Sequence, residues 1–202
     1  MVKDEGMVEE GGKKALAFAY RNLWLLPTTT VMVSCVGREE APNIITIAAC
    51  GVASSNPPLI SLAIGVNQYS LKLIKETEDF VVNVPSQEQV YVTDWCGSVS
   101  GRDVNKFAKG TLTPGKSLKV KSPYIVECPV NYECTLWKTI NCGNHELVLG
   151  EIQQVHVDKS VLNASGEEID PTKFNPLVSF QMEYWNLGKR RAKWHFSQRH
   201  EG

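Results

Sequence analysis

The sequence predicts a mainly β protein, an antiparallel barrel with short peripheral helices. Three observations predict it. β-Branched residues crowd into runs of strand length, TTTVMVSCV from Thr28, IITIAA from Ile44 and LISLAIGV from Leu59, and such residues suit a pleated, half-buried surface. Prolines and glycines fall between the runs. Strand–helix–strand units hardly recur, which disfavours a doubly wound parallel sheet.

The chain has 202 residues, long enough for one well-buried domain. Apolar residues make up 43% and charged residues 21%, a globular balance that argues against disorder. The formal charge of −1 provides no field for nucleic acid, and Lys189, Arg190, Arg191 and Lys193 read as a solvated tail. No apolar run reaches the ~20 residues that span a bilayer. Met1-Val2-Lys3-Asp4-Glu5 lacks the apolar core of a signal peptide. The expectation is a cytoplasmic protein with neither nucleic acid nor membrane as partner.

In chain order, residues 1–14 read as a charged, glycine-bearing leader, and Lys14 to Leu26 as a short helix ended by Pro27. Residues 27–188 then form the domain and 189–202 a basic tail. Ala53-Ser54-Ser55-Asn56-Pro57-Pro58 reads as a stiff, polar connection, longer than a tight hairpin needs. Ser70 is placed to cap a helix carrying Leu71 and Ile74 on one face. DFVVNV, 79–84, is the next strand, and Ser86 to Gln89 is a capping box opening a helix towards Trp95. SGRDVNKF, 100–107, is a polar turn leading into about one helical turn. VNYECTLWKTI at 130–140 and ELVLGEIQQVHV at 146–157 return to strands, and Ala164-Ser165-Gly166 centres a hairpin.

Several chemistries are disfavoured. There is no G-x-G-x-x-G after a strand and no Walker A loop. Gly97-Ser98-Val99-Ser100-Gly101 lacks the spacing of a nucleophile elbow. Cys35 and Cys50 lie in apolar runs, where cysteine packs as a small hydrophobe. Cys128, Cys134, Cys142 and His145 are the one candidate zinc set, a minor alternative because Cys134 falls inside a strand-like alternation.

Small residues Ala48, Ala49 and Cys50 leave room for a flat ring against a strand, with Asn43, Thr46, Ser54 and Ser55 as hydrogen-bonding neighbours. This combination resembles the flavin-reductase-like, flavoredoxin-type proteins with an FMN-binding split barrel. The resemblance runs from about Pro27 to Gly188, through Asn43 to Thr46, the Ser-Ser-Asn-Pro-Pro connection and EDFVVNVPS at 78–86. It continues through SGRDVNKF, ECPVNYEC with His145 and VLGEI, and YWNLG at 184–188. It implies a six-stranded antiparallel Greek-key barrel and a homodimer with FMN near its interface. Asn43, Thr46, Ile47, Ala48, Ala49 and Cys50 would line the flavin, with Ser54 and Ser55 running alongside. Ser70 would meet the phosphate, Ser100 and Lys106 would contribute from the SGRDVNKF turn, and His145 would stand at the catalytic edge. Many relatives carry a tryptophan where this chain has Ala49-Cys50.

The function so implied is an oxidoreductase passing electrons from NADH or NADPH through FMN to a flavin, metal or protein acceptor. The alternative is an FMN electron carrier reduced by a partner protein. A split barrel binding haem or no cofactor ranks below both.

Overall fold

The computed structural model describes residues 12, 13, 16 and 18–197. Most of the expected leader, parts of the Lys14–Leu26 helix and the last residues of the tail lie outside the described residues. The strands are β1 (Thr28–Cys35), β2 (Asn43–Ser55), β3 (Pro58–Gly65) and β4 (Asp79–Val84), the two-residue pair β5 (Pro114–Gly115) and β6 (Tyr124–Ile125), then β7 (Val130–Asn141), β8 (His145–Val157), β9 (Leu177–Phe180) and β10 (Glu183–Asn186). The α-helices are α1 (Tyr69–Thr77), α2 (Val90–Ser98) and α3 (Lys106–Lys109).

The main sheet runs β10-β9-β1-β2-β3-β8-β7-β4, and a further β1–β4 pairing closes six of its strands into an antiparallel barrel. The local order β4-β1-β2-β3 is a Greek key. Alternation along each strand sends one face inward. Val31 and Val33, Ile45 and Ile47, Ile60, Leu62 and Ile64, Phe80 and Val82, and Val148 fill the barrel, and α1 plugs one end with Leu71, Leu73 and Ile74. Phe80 is wholly buried, and a side chain at Gly150 would collide with its ring. A second cluster, including Met32, Ile44, Cys96, Phe107 and Ile125, packs α2 and α3 on the outer wall.

Two buried carboxylates fasten the excursion between α3 and β7 to the barrel. Asp79 accepts from Lys121 N (3.1 Å), Ser122 N (3.0 Å) and Ser122 Oγ (2.6 Å). Glu133 accepts from Leu118 N (2.8 Å) and Lys119 N (2.6 Å) and lies 2.5 Å from His156 Nε2. Tyr124 stacks on the His156 ring at 4.9 Å.

The structure corrects four expectations. Ser54 and Ser55 belong to β2, paired with Leu59 and Pro58, so the connection is a two-residue turn of Asn56 and Pro57 with a cis bond between them. Polarity ends the apolar run there, but the arm projects past the core and its strands continue on backbone pairing. The N-terminal helix is a 3-10 turn over Tyr20–Leu25, anchored by Gln181 N to Trp24 O (2.7 Å). Helix α1 starts before Ser70, with Gln68 at the N-cap. The segment around Ala164-Ser165-Gly166 is a turn closed by a single Leu162–Ile169 bridge rather than a strand hairpin. The 79–84, 130–140 and 146–157 strands form essentially as read, and Gln89 Oε1 accepts from Ser86 N (2.9 Å) to complete one arm of the capping box. No helix among the described residues is long and apolar enough to cross a membrane.

Burial raises the Glu133 carboxyl pKa, but the His156 ring and the Leu118 and Lys119 amides outweigh it and hold it below its usual range. A lowered native value makes this contribution complete above the unfolded pKa of about 4.3 and lost as pH falls through the native value. Glu133→Gln should therefore cost about 1–3 kcal/mol at pH 7, and the gap to wild type should close on acidification. Urea unfolding at pH 7 and below pH 4 measures this; a gap independent of pH contradicts it.

Candidate functional site

On β3, Ile60, Leu62 and Ile64 point into the barrel, so Ser61, Ala63 and Gly65 face outward, half-buried. Directly paired residues share a face. Gly51 lies opposite Ser61 on one side, with Ser61 Oγ donating to Gly51 O (3.2 Å). On the other side Leu149, Leu147 and His145 lie opposite Ser61, Ala63 and Gly65. The result is a flat ledge of small residues, walled by two leucines, with His145 at one end.

The ledge runs directly onto α1. A Cβ at Gly65 would sit 3.3 Å from Gln68 Cγ. Gln68 is the extended N-cap and makes no side-chain capping bond, so the first-turn amides keep no side-chain acceptor there. The Arg102 guanidinium lies 4.9 Å from the Tyr69 ring centroid. Asn67, Gln68, Leu71, Lys72 and Arg102 contribute to the lining of a depression of about 510 Å³ beside this helix start. Lys72 is tied to Glu40 (3.0 Å) and Glu76 (3.3 Å), whereas Arg102 has no carboxylate partner among the described residues.

Beneath lies a buried polar junction. Asn43 Nδ2 donates to Ser70 Oγ (2.9 Å), while Asn43 Oδ1 is buried without a partner. A side chain at Gly101 would collide with that carboxamide. Lys106 is 3% exposed and donates to Ile44 O (2.7 Å) and Cys96 O (2.6 Å). Burial lowers its pKa. Asn105 Oδ1 caps α3 by accepting from Ala108 N (3.1 Å), which fixes where the lysine enters. Thr46 Oγ1 donates to Thr93 O (2.5 Å), joining β2 to α2.

The structure thus brings Asn43, Ser70 and Lys106 to the start of β2, with Thr46 further along the strand against α2 and His145 on the ledge. His145 is exposed, its Nδ1 2.8 Å from Asn144 Oδ1. Ser70 lies inside the first turn of α1 and caps nothing; it is 1% exposed, its hydroxyl accepting from Asn43 and hydrogen-bonded to the Cys35 thiol. Ser100 opens the following turn, its Oγ accepting from Arg102 N (3.2 Å). Ile47 points into the core. Ala48 faces a separate depression with Trp24, Asp94 and Tyr184, where Trp24 Nε1 is buried without a partner and Tyr184 donates to Asp94 (2.9 Å). Ala49 falls at a bulge between the Thr29–Cys50 and Val31–Ile47 pairs. Cys50 and Ser54 turn to the opposite barrel mouth, and Ser55 is exposed at the hairpin tip.

Arg102, Asn67 and Gln68 were not singled out by the sequence reading. The arginine stands two residues after Ser100 in a turn read only as polar. Among the described residues no three His, Cys, Asp or Glu gather as metal ligands, and Cys128, Cys134, Cys142 and His145 remain apart. Burial pushes the Cys35 and Cys50 thiols up to about 12 and Cys96 up to about 11, so these are neutral packing groups.

This closed six-stranded antiparallel barrel is the fold of the split-barrel flavoproteins. The chain belongs to the flavin reductase like domain family, whose sequence profile matches residues 23–188. It is similar to the flavoredoxin of Desulfovibrio vulgaris (Miyazaki F), with 31% identity, TM-score 0.80, and coverage of 95% of this chain and 100% of that one. An uncharacterized protein of Archaeoglobus fulgidus is 39% identical over 65% of this chain and 73% of its own length. Nitrilotriacetate monooxygenase component B from Bacillus cereus, 21% identical over 86% of this chain and 92% of that one, shares the fold at a TM-score of 0.79.

Lys106→Met should strand two buried carbonyls and lower stability by about 2–3 kcal/mol. The urea midpoint reads this directly; an unchanged midpoint would show that the lysine does not hold α3 and α2 to β2.

Proposed function

We infer that the chain binds FMN along the ledge and passes electrons from NADH or NADPH through it to a flavin, metal or protein acceptor. One observation carries this reading: the flat ledge ends on an uncapped helix N-terminus beside an uncompensated arginine. Such a terminus attracts anions through free amides and the helix dipole. A planar ring joined to a phosphate matches that pairing of surfaces.

The residues present fit the group. Ser61, Ala63, Gly65 and Gly51 leave a ring unobstructed, with Leu147 and Leu149 as its wall. The first-turn amides of α1 and Arg102 would hold the phosphate, with Ser70, buried beneath and engaged by Asn43 and Cys35, fixing that turn. The orphaned Asn43 Oδ1 is an acceptor in want of a donor, and leaving such a group buried is costly. Bound FMN would supply the redox chemistry, the protein its orientation and electrostatics. Lys106 serves from below as a positioning residue, since its ammonium is committed to two backbone carbonyls. His145, exposed at the end of the ledge, is the residue an incoming donor or acceptor would meet.

Trp137 and Ile140 are exposed on β7, at 53% and 41%, and Ile140 pairs with Leu147 of the ledge wall. Their exposure supports a homodimer whose second copy would bury them and cover the ring. The flavoredoxin relative supports the second reading, an FMN carrier reduced by a partner protein.

The purified protein should show flavin absorbance that bleaches on adding NADH or NADPH; bleaching only with a reductase partner selects the carrier. A colourless protein that takes up no FMN overturns both. Arg102→Ala should weaken FMN about tenfold and leave riboflavin unchanged, as expected for one charge-assisted phosphate contact. His145→Ala should slow turnover at unchanged FMN content.

A further inference from the structure

The barrel end opposite α1 is not filled. There, between the Thr29 end of β1, Cys50 on β2, Val84 on β4 and Val130 on β7, lies a cavity of about 290 Å³. Protein interiors hold few voids larger than a water molecule, and a dry apolar cavity of about 150 Å³ already accommodates benzene. The space does not come from a loose cover. Phe174 and Pro176 border the open mouth, and their segment is fixed by Gln87 N to Asn175 O (2.9 Å), Asp170 N to Val161 O (2.8 Å) and a Ser86–Pro176 bridge.

The lining decides the chemistry. No charged residue contributes to it, and valine, leucine and isoleucine form most of the wall. Tyr132 reaches into it, and neither its hydroxyl nor the Cys50 thiol has a hydrogen-bond partner among the described residues. Burial raises the pKa of both groups, so both are neutral donors at pH 7.

We propose that this barrel mouth is a second binding site, for an uncharged, largely apolar, ring-sized molecule carrying one hydrogen-bond acceptor directed at Tyr132. The site opens on the other side of β2 from the ledge, the two sharing only Gly51 at their border, and does not depend on the flavin reading. A carboxylate-bearing molecule is excluded, because nothing in the lining offsets the cost of burying a charge.

Acetophenone, isopropylbenzene and benzoate are suitable probes, titrated calorimetrically into the full chain as purified. Acetophenone and isopropylbenzene should bind and benzoate should not. Tyr132→Phe should weaken acetophenone about fivefold, the worth of one neutral hydrogen bond, and leave isopropylbenzene unchanged. Ile152→Phe, which fills the half-buried mouth, should abolish both. If that variant fails to fold, saturating isopropylbenzene on wild type should abolish the binding heat of acetophenone. No binding of either neutral probe, binding retained in folded Ile152→Phe, equal loss of both probes in Tyr132→Phe, or no competition between the two probes would overturn the proposal.

Discussion

Asn83 sits fully buried where β1 meets β4, and its carboxamide is the clasp of the barrel. Its Nδ2 donates to Met32 O and Ser34 Oγ, both at 2.9 Å, across the seam. Its Oδ1 accepts from Ile125 N (2.8 Å) and Asn131 Nδ2 (2.9 Å). The seam itself has only three paired positions, Met32–Asn83, Val33–Val82 and Ser34–Val81. A side chain bonded to β1, β6 and β7 at once makes that short contact specific, because a register slip would leave a buried amide unsatisfied. Closure in turn gives α1 a seat and turns the outer faces of β2, β3 and β8 into one continuous surface. The ledge exists because the barrel is shut.

The interior beside that surface carries an unusual charge arrangement. Lys106 brings an ammonium into a cluster with Cys96 and near Cys35, both held neutral by burial. Its stabilisation therefore comes from the carbonyl dipoles of Ile44 and Cys96 rather than from an anion. A cation balanced only by dipoles leaves a net positive potential under the start of β2 and α1. Arg102 adds to it from the solvent side. The two cations come from one eight-residue stretch, SGRDVNKF, which explains how a short turn can set the electrostatics of an entire face.

How much of this was legible in the sequence depends on which signal each part carries. The long strands β7 and β8 were readable from their β-branched and aromatic content between Pro129 and the Cys142-Gly143-Asn144 turn, although their burial does not alternate cleanly. The polar tip of β2 was not, since Ser54 and Ser55 pair outside the core, where apolar pattern says nothing about backbone pairing. Ser70 has the residue type of a cap, yet Gln68 takes that position and the serine is drawn inward by Asn43, a partner 27 residues away. The short pairs β5–β6 and β9–β10 are too brief for any period to emerge. The family resemblance named Asn43, Thr46, Ser70, Lys106 and His145 together; the fold bonds Asn43 to Ser70 and Lys106 to the adjacent Ile44 carbonyl, while Thr46 reaches Thr93 on α2 and His145 lies opposite Gly65. It also named Cys50 and Ser54, whose side chains the β2 bulge helps direct to the other mouth.

The contact between Gly150 and Phe80 sets a limit on how this chain can diverge. The ring of Phe80, on β4, occupies the volume that a side chain at position 150 of β8, beyond β7, would need, so the two positions form one unit of variation. A homologue with alanine or larger at the glycine's place must shrink the aromatic in compensation. Either change made first passes through a less stable intermediate, overpacked in one order and hollow in the other. Paired substitution at these two sites is accordingly the signature that an alignment of this barrel should carry.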